Sequence, residues 1–258
     1  MTAGNDAKCI AIRMIRCFLV PCDGGYLMID TNMPGTYDRF LSKLRGLEVD
    51  LADIKYLLLT HHHDDHVGFA ADLLQDTHAR AIVYELAVPI LRRGQAQNPF
   101  TKKGMDRGRF LNPWTRYSMM LLPALVQRGW GYPPVKVGER DFVVQEDDPD
   151  LLREIGIDGV ILHTPGHSQD SISVVLADGS AFVGDAAMNF MRVFGTRYRP
   201  VYAEDYGQVY DSWRKLIEHG ASVIYTAHGA PFSADKLKRY IEWESQSETI
   251  AVDARKGL

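Results

Sequence analysis

The feature that most restricts this chain is an abrupt change of character at one point. The apolar run Ile54 to Thr60 (IKYLLLT) passes directly into His61-His62-His63-Asp64-Asp65-His66. An apolar run of that length suits a buried strand, so six ionisable residues are delivered to a strand end. His61 and His63 stand two apart, and in extended geometry both side chains point to one side. Two imidazoles on one side can share a metal ion. Asp65 and His66 follow where the chain turns into the next helix, and adjacent residues at such a turn can reach a second ion. Neutral imidazole suits zinc and iron, and a mixed His/Asp set suits borderline metals more than calcium or magnesium. A solvated polar loop is the alternative for a histidine-rich run.

Three further residues argue against that alternative, because each follows an apolar run in the same way. His167 follows GVILHTPG, Asp185 follows SAFVG and His228 follows SVIYTA. Loops at strand ends are where scaffolds place catalytic groups. Singly, each fits a turn cap, a helix cap or a hydrogen-bonded core histidine. Together with the cluster they supply ligands for two ions.

The other segments read as alternating strands and helices. Residues 9–20 and 26–30 are rich in β-formers, with turn chemistry at Pro21 to Gly25 between them, which predicts a hairpin. Tyr37, Phe40, Leu41 and Leu44 are spaced for a short helix over Pro34 to Arg45, with Gly46 just past its end. A helix is expected over Val67 to Leu74 and a strand over Ala81 to Tyr84. Strands at 159–164, 171–177 and 180–184 follow, the last two joined by Asp178-Gly179. Then come a helix over Asp205 to His219, a strand at 222–227 and a helix at 234–244. Strand-rich halves each followed by helices predict helices outside packed sheets.

At 258 residues with 46% hydrophobic content, the chain can bury a sizeable core. The net charge of −4 gives no whole-chain signal for nucleic acid. Met1 to Lys8 is polar and no apolar stretch approaches the roughly 18 residues of a membrane helix, so neither a secretion signal nor a span is expected. Cys9, Cys17 and Cys22 form no C-x-x-C, and buried free thiols in a reducing cytoplasm are the expectation.

One segment has its own chemistry. Between Arg92 and Lys136 there are nine Arg or Lys against the single acid Asp106, with Phe100, Phe110, Trp114 and Trp130 among them. The next stretch, Glu139 to Asp158, holds eight acids. Residues 86–138 therefore read as a basic, aromatic insertion within one domain spanning 1–258. It is expected to form a lid or pocket wall over a small anionic or acylated substrate. A homodimer contact is its alternative use.

The motifs together resemble those of the metallo-β-lactamase superfamily. The H-x-H-x-D-H signature corresponds to His61 through His66, and the later motifs to His167 in TPGHS, Asp185 in Gly184-Asp185 and His228 in Ala227-His228-Gly229. Asp30, in Met28-Ile29-Asp30-Thr31, matches the family's early aspartate. The resemblance implies an α/β fold, a four-layer αβ/βα sandwich with metals at one edge between two sheets. It implies that His61, His63 and His167 hold one divalent ion and Asp65, His66 and His228 a second, with Asp185 bridging. Zinc is the first expectation, iron or manganese the alternatives. A hydroxide between the ions would attack an ester, lactone or thioester carbonyl, with Asp65 also as proton acceptor.

Within that family the first motif is similar to glyoxalase II, although 101 positions separate His66 from His167 and about 30 residues follow His228. The ligand set and insertion are similar to acyl-homoserine lactonases. Met188-Asn189-Phe190 stand where those enzymes carry a tyrosine, and Tyr198, Tyr202 and Tyr206 are the candidates to replace it. A mononuclear iron sulfur-dioxygenase-like oxidoreductase and a phosphodiesterase or nuclease are the other readings the resemblance allows. Of the remaining histidines, His62 is expected beside or outside the site, His163 as a satisfied core group, and His78 and His219 at the surface.

Overall fold

A computed structural model describes residues 6–94, 131–190 and 196–242. The expected insertion therefore lies largely outside the described residues. Two sheets carry the architecture. The first runs in the order β1 (Lys8–Ile12), β2 (Ile15–Cys22), β3 (Gly25–Ile29), β4 (Ile54–Leu58), β5 (Arg80–Tyr84), β6 (Phe142–Val144). Its first three strands form an antiparallel meander, and β3 to β6 then run parallel. The second sheet contains β7 (Gly159–His163), β8 (Ile172–Leu176), β9 (Ser180–Phe182), β10 (Val223–Tyr225) and β11 (Phe232–Ser233), in reverse order across the sheet.

The period-2 alternation of the strands builds the layers. In the first sheet Phe18, Val20, Leu58 and Ile82 face inward and meet Ile161, Ile172, Val174 and Phe182 of the second. The alternate residues Cys17, Leu19, Leu57, Ala81 and Val83 face outward. They pack under helices α1 (Tyr37–Gly46), α2 (Asp64–Val67), α3 (Ala70–Thr77) and α4 (Val88–Leu91), which contribute Phe40, Leu44, Val67, Leu73 and Leu91. The short helix α5 (Leu151–Glu154) adds Leu151 and Leu152 to the middle layer. On the far side Val175, Ala181 and Val183 are covered by α6 (Tyr206–Glu218), whose Val209, Trp213 and Leu216 recur at helical spacing. The layers run helix–sheet–sheet–helix, the sandwich that the resemblance implies.

Some boundaries differ from the sequence reading. Residues 9–20 are two strands, because the chain reverses at Arg13-Met14 with Arg13 in the left-handed region at φ 57°. The helix expected from Val67 is two helices, broken where Gly68 packs so close to Asn32 and Pro34 that a Cβ would collide with their backbone. Among the cysteines only Cys17 is buried. Cys9 is exposed because β1 is an edge strand whose Ile10 and Ile12 take the positions packed under the helices.

Two links close the sheets against each other. The Arg16 amide donates to Ala227 O at 2.9 Å, and the Ile172 amide donates to Thr60 O at 2.8 Å. Both lie where the ionisable motifs emerge.

Candidate metal centre

Four strand ends deliver the seven expected ligands to one place. His61, His63, Asp65 and His66 leave β4, His167 leaves β7, Asp185 leaves β9 and His228 leaves β10. They gather into two compact groups, His61 with His63 and His167, and Asp65 with His66, Asp185 and His228. Within each group the donor atoms lie within 4.8 Å of one another. Asp185 faces both groups. Its Oδ2 is 3.6 Å from Nε2 of His167, while its Oδ1 lies 3.5 Å from Nε2 of His66 and 3.4 Å from Nε2 of His228.

The candidate ligand rings are held from behind. His61 Nδ1 lies 3.1 Å from Thr60 Oγ1, which donates to Asp30 Oδ2 at 2.7 Å. Nδ1 of His66 lies 2.8 Å from that same Asp30 oxygen, and Nδ1 of His167 lies 2.8 Å from the carbonyl of Tyr202. With a proton on each Nδ1, all three rings turn Nε2 into the site, the arrangement that orients metal-binding histidines. Asp30 adopts φ 58°, a conformation tolerated by aspartate, and its other oxygen accepts the Thr60 amide at 2.7 Å.

Helix α6 anchors the two loops from the second sheet. Trp213 Nε1 donates to Ala186 O at 2.8 Å, beside Asp185, and Ser212 Oγ donates to Pro165 O at 2.7 Å, beside His167. Asp205 caps the helix by accepting from the Gly207 and Gln208 amides. Its own amide donates to Gly166 O at 2.9 Å. Gly166 sits at φ 132° against Val209, where a Cβ would not fit.

The two groups differ in electrostatic character. Burial and the rings of His66, His63 and His167 hold His61 well below the ordinary imidazole value, and burial and His167 do the same for His63. Burial lowers His167 against the pull of Asp185. These three are neutral bases. In the second group burial also pulls His66 and His228 down, but carboxylates outweigh it: Asp65, Asp30 and Asp185 raise His66 well above its ordinary value, and Asp185 and Asp65 raise His228. Burial pushes Asp65 up, and His66 and His228 more than reverse it, leaving the carboxyl far below the usual range. Asp185 is held at about 2 by His228 and His66 in the same way.

This donor set fits a pair of cations. His66 Nε2 and Asp185 Oδ1 are buried without a hydrogen-bond partner, which is costly unless something positive lies between them. In the other group His63 Nδ1 lies 3.1 Å from His61 Nε2 and 3.0 Å from His167 Nε2. Three neutral rings that aim nitrogens at one point lack the protons to satisfy one another.

The order and placement of these residues agree with a family model. The model of the metallo-β-lactamase superfamily matches residues 12–228. The chain belongs to that superfamily. Among curated relatives, the lactamase-like protein aptB of Emericella nidulans is 27% identical over 244 residues, 93% of this chain and 59% of its own length. This chain thus spans about three fifths of that relative. The metallo-β-lactamase fold-containing protein ST1585 of Sulfurisphaera tokodaii is 26% identical over 80% of this chain and 72% of its own. Among solved structures, the subclass B3 metallo-β-lactamase BJP-1 of Bradyrhizobium japonicum aligns with a TM-score of 0.61 and 21% identity, covering 98% of this chain and 93% of that one. That likeness concerns the fold of this superfamily member.

The bystanders fall as follows. His163 stacks on Tyr84 at 4.2 Å and its Nε2 contacts Gln169 O, while His78 and His219 are exposed. Of the three tyrosines, Tyr198 packs on Phe232 away from the centre, and the Tyr206 hydroxyl donates to Pro200 O. Only Tyr202 adjoins the candidate ligands, its ring 5.9 Å from that of His167 and 6.3 Å from that of His63. Sequence reasoning missed Thr60 and Asp170, the latter paired with His62 at 2.8 Å. No spacing rule connects His62 with a residue 108 positions away. The described ends of the basic insertion, including Val88, Arg92 and Val137, line a surface groove of about 570 Å³ that contains none of the seven candidate ligands.

Proposed function

We propose that this chain is a binuclear metal-dependent hydrolase of an ester, lactone or thioester. His61, His63 and His167 hold one divalent ion, zinc in the first instance, and Asp65, His66 and His228 hold the second, with Asp185 serving both. The observation that carries this reading is the meeting of seven donor atoms in two groups that one carboxylate faces. Bound there, a pair of divalent ions supplies Lewis acidity, lowering the pKa of water toward neutrality and polarising the carbonyl under attack.

The chain's own residues do the rest. Asp65, more exposed than the His66 and His228 rings beside it, is the carboxylate placed to take the proton of the attacking water. Asp30, Thr60 and the Tyr202 carbonyl keep the imidazoles aimed without reorganisation during turnover. The nine cations between Arg92 and Lys136 favour an anionic or acylated small molecule. The free thiols support a reducing, cytoplasmic setting.

The test combines metal analysis with turnover of lactone, thioester, phosphodiester and β-lactam substrates under air and under argon. About two zincs per chain and oxygen-independent cleavage of an acyl substrate are expected. One iron per chain with oxygen-dependent turnover, or cleavage of phosphodiesters alone, overturns the reading. An anionic substrate preferred over its neutral analogue, with the preference falling as salt rises, supports the role of the insertion.

A further inference from the structure

His62 lies between two candidate ligands, and the alternation of the run turns its ring away from theirs. That ring is 1% exposed, and its Nδ1 lies 2.8 Å from Oδ1 of Asp170, itself 2% exposed. The two residues come from different sheets. His62 is on the loop leaving β4, and Asp170 is on the loop between β7 and β8, three residues past His167.

Those two loops are also the sources of the three-histidine group. His61 and His63 flank His62, so the separation of the loops sets the distance from their nitrogens to that of His167. The His62 ring also packs edge-on against that of His63, with centroids 4.8 Å apart and an angle of 71°. A rotation of His62 therefore displaces a ligand directly.

Stability is a poor account of the pair. His62 Nε2 and Asp170 Oδ2 are both buried without a hydrogen-bond partner, and a buried polar contact that leaves such atoms unsatisfied contributes little net stability. What the contact does supply is a fixed register between two loops.

We propose that His62 and Asp170 form a positioning pair that sets the affinity of the His61/His63/His167 group for its ion. This rests on the metal-centre reading above. The pair acts by geometry and touches neither ion nor substrate. The Asp65/His66/Asp185/His228 group is held through Asp30 and helix α6 and does not depend on it.

The test is metal binding to the full chain, by chelator competition and by the visible spectrum of the cobalt-substituted protein. Asp170→Ala is expected to weaken one of the two ions about 10- to 100-fold and leave the other within about threefold. The lost cobalt bands are those of the histidine-rich site. Asp170→Asn keeps an oxygen that accepts from His62 and is expected to stay within about threefold of the parent at both sites. Should Asp170→Ala not fold, Asp170→Leu fills the space without an acceptor and is read in the same way. Parental affinity at both sites in either apolar variant, or equal weakening of both, overturns the proposal. A parent chain that binds no ion overturns the metal-centre reading and this inference with it.

Discussion

One Asp30 carboxylate oxygen lies 2.8 Å from Nδ1 of His66, and the same oxygen accepts a hydrogen bond from the Thr60 hydroxyl. The contact determines which nitrogen of His66 faces Asp185. With Asn at position 30, the oxygen that accepts from the Thr60 amide survives, but an NH2 group then opposes Nδ1 of His66. The ring must shift its proton to Nε2 or rotate. Asp30→Asn is therefore expected to weaken the ion at the Asp65/His66/Asp185/His228 group about 10- to 100-fold while the protein stays folded. Chelator competition measures this, and an affinity unchanged from the parent refutes it.

Metal binding should compete with protons at this group. The raised His66 and His228 must give up a proton before Nε2 can coordinate. In the metal-free protein their folded pKa values exceed the unfolded value of about 6.5, so the stability they contribute is complete below that pH. It is lost as pH rises through the folded values. His61 and His63, shifted the other way, contribute fully above about 6.5 and flatten out there. Between pH 6.5 and 9 the chelated protein is therefore expected to melt at progressively lower temperature, while the gain in Tm on adding zinc grows. A saturating excess of about 100 Kd should be worth about 2.7 kcal/mol. A zinc-induced gain that does not change with pH contradicts the argument.

The parts of the centre that were legible in the sequence share one property. His61, His63, His167, Asp185 and His228 each end an apolar strand, so local pattern alone located them. The parts that were not legible depend on contacts between sheets. Asp170 meets His62 across the seam, and Thr60 bridges Asp30 and His61 only once β3 and β4 are paired. Strand β6 was missed because three residues, Phe142 to Val144, are too short a pattern within an acidic stretch. The apolar alternation from Cys9 to Val20 runs through the turn at Arg13-Met14, so periodicity could not show the reversal.

Among the described residues, the half-buried Tyr202 ring lies beside the three-histidine group. Its backbone carbonyl holds His167, so replacement of the side chain leaves that ligand in place. Tyr202→Phe keeps the ring against His63 and His167 and removes only the hydroxyl. If the hydroxyl contacts the carbonyl in the transition state, kcat/KM falls about 10-fold or more, with metal content unchanged. Unaltered kinetics in Tyr202→Phe, with a loss only in Tyr202→Ala, would assign the ring a packing role instead.

Asp64 carries a burden that its neighbours do not share. Burial and the adjacent Asp65 push its carboxyl up to about 6, and only 7% of the residue is exposed. The folded value lies above the unfolded one of about 3.9, so the folded chain holds the proton more tightly. The sign follows: Asp64 costs no stability below about pH 4, and its cost grows as pH rises to about 6 and is constant above. Two pKa units correspond to about 3 kcal/mol at most, so a cost on the order of 1–3 kcal/mol is expected. Asp64→Asn retains the shape without the charge. It is expected to raise the stability of the chelated protein by that amount at pH 7–8 and to lose the advantage near pH 4. Urea denaturation across this range measures the difference, and an equal effect at both ends would rule out ionisation as its cause.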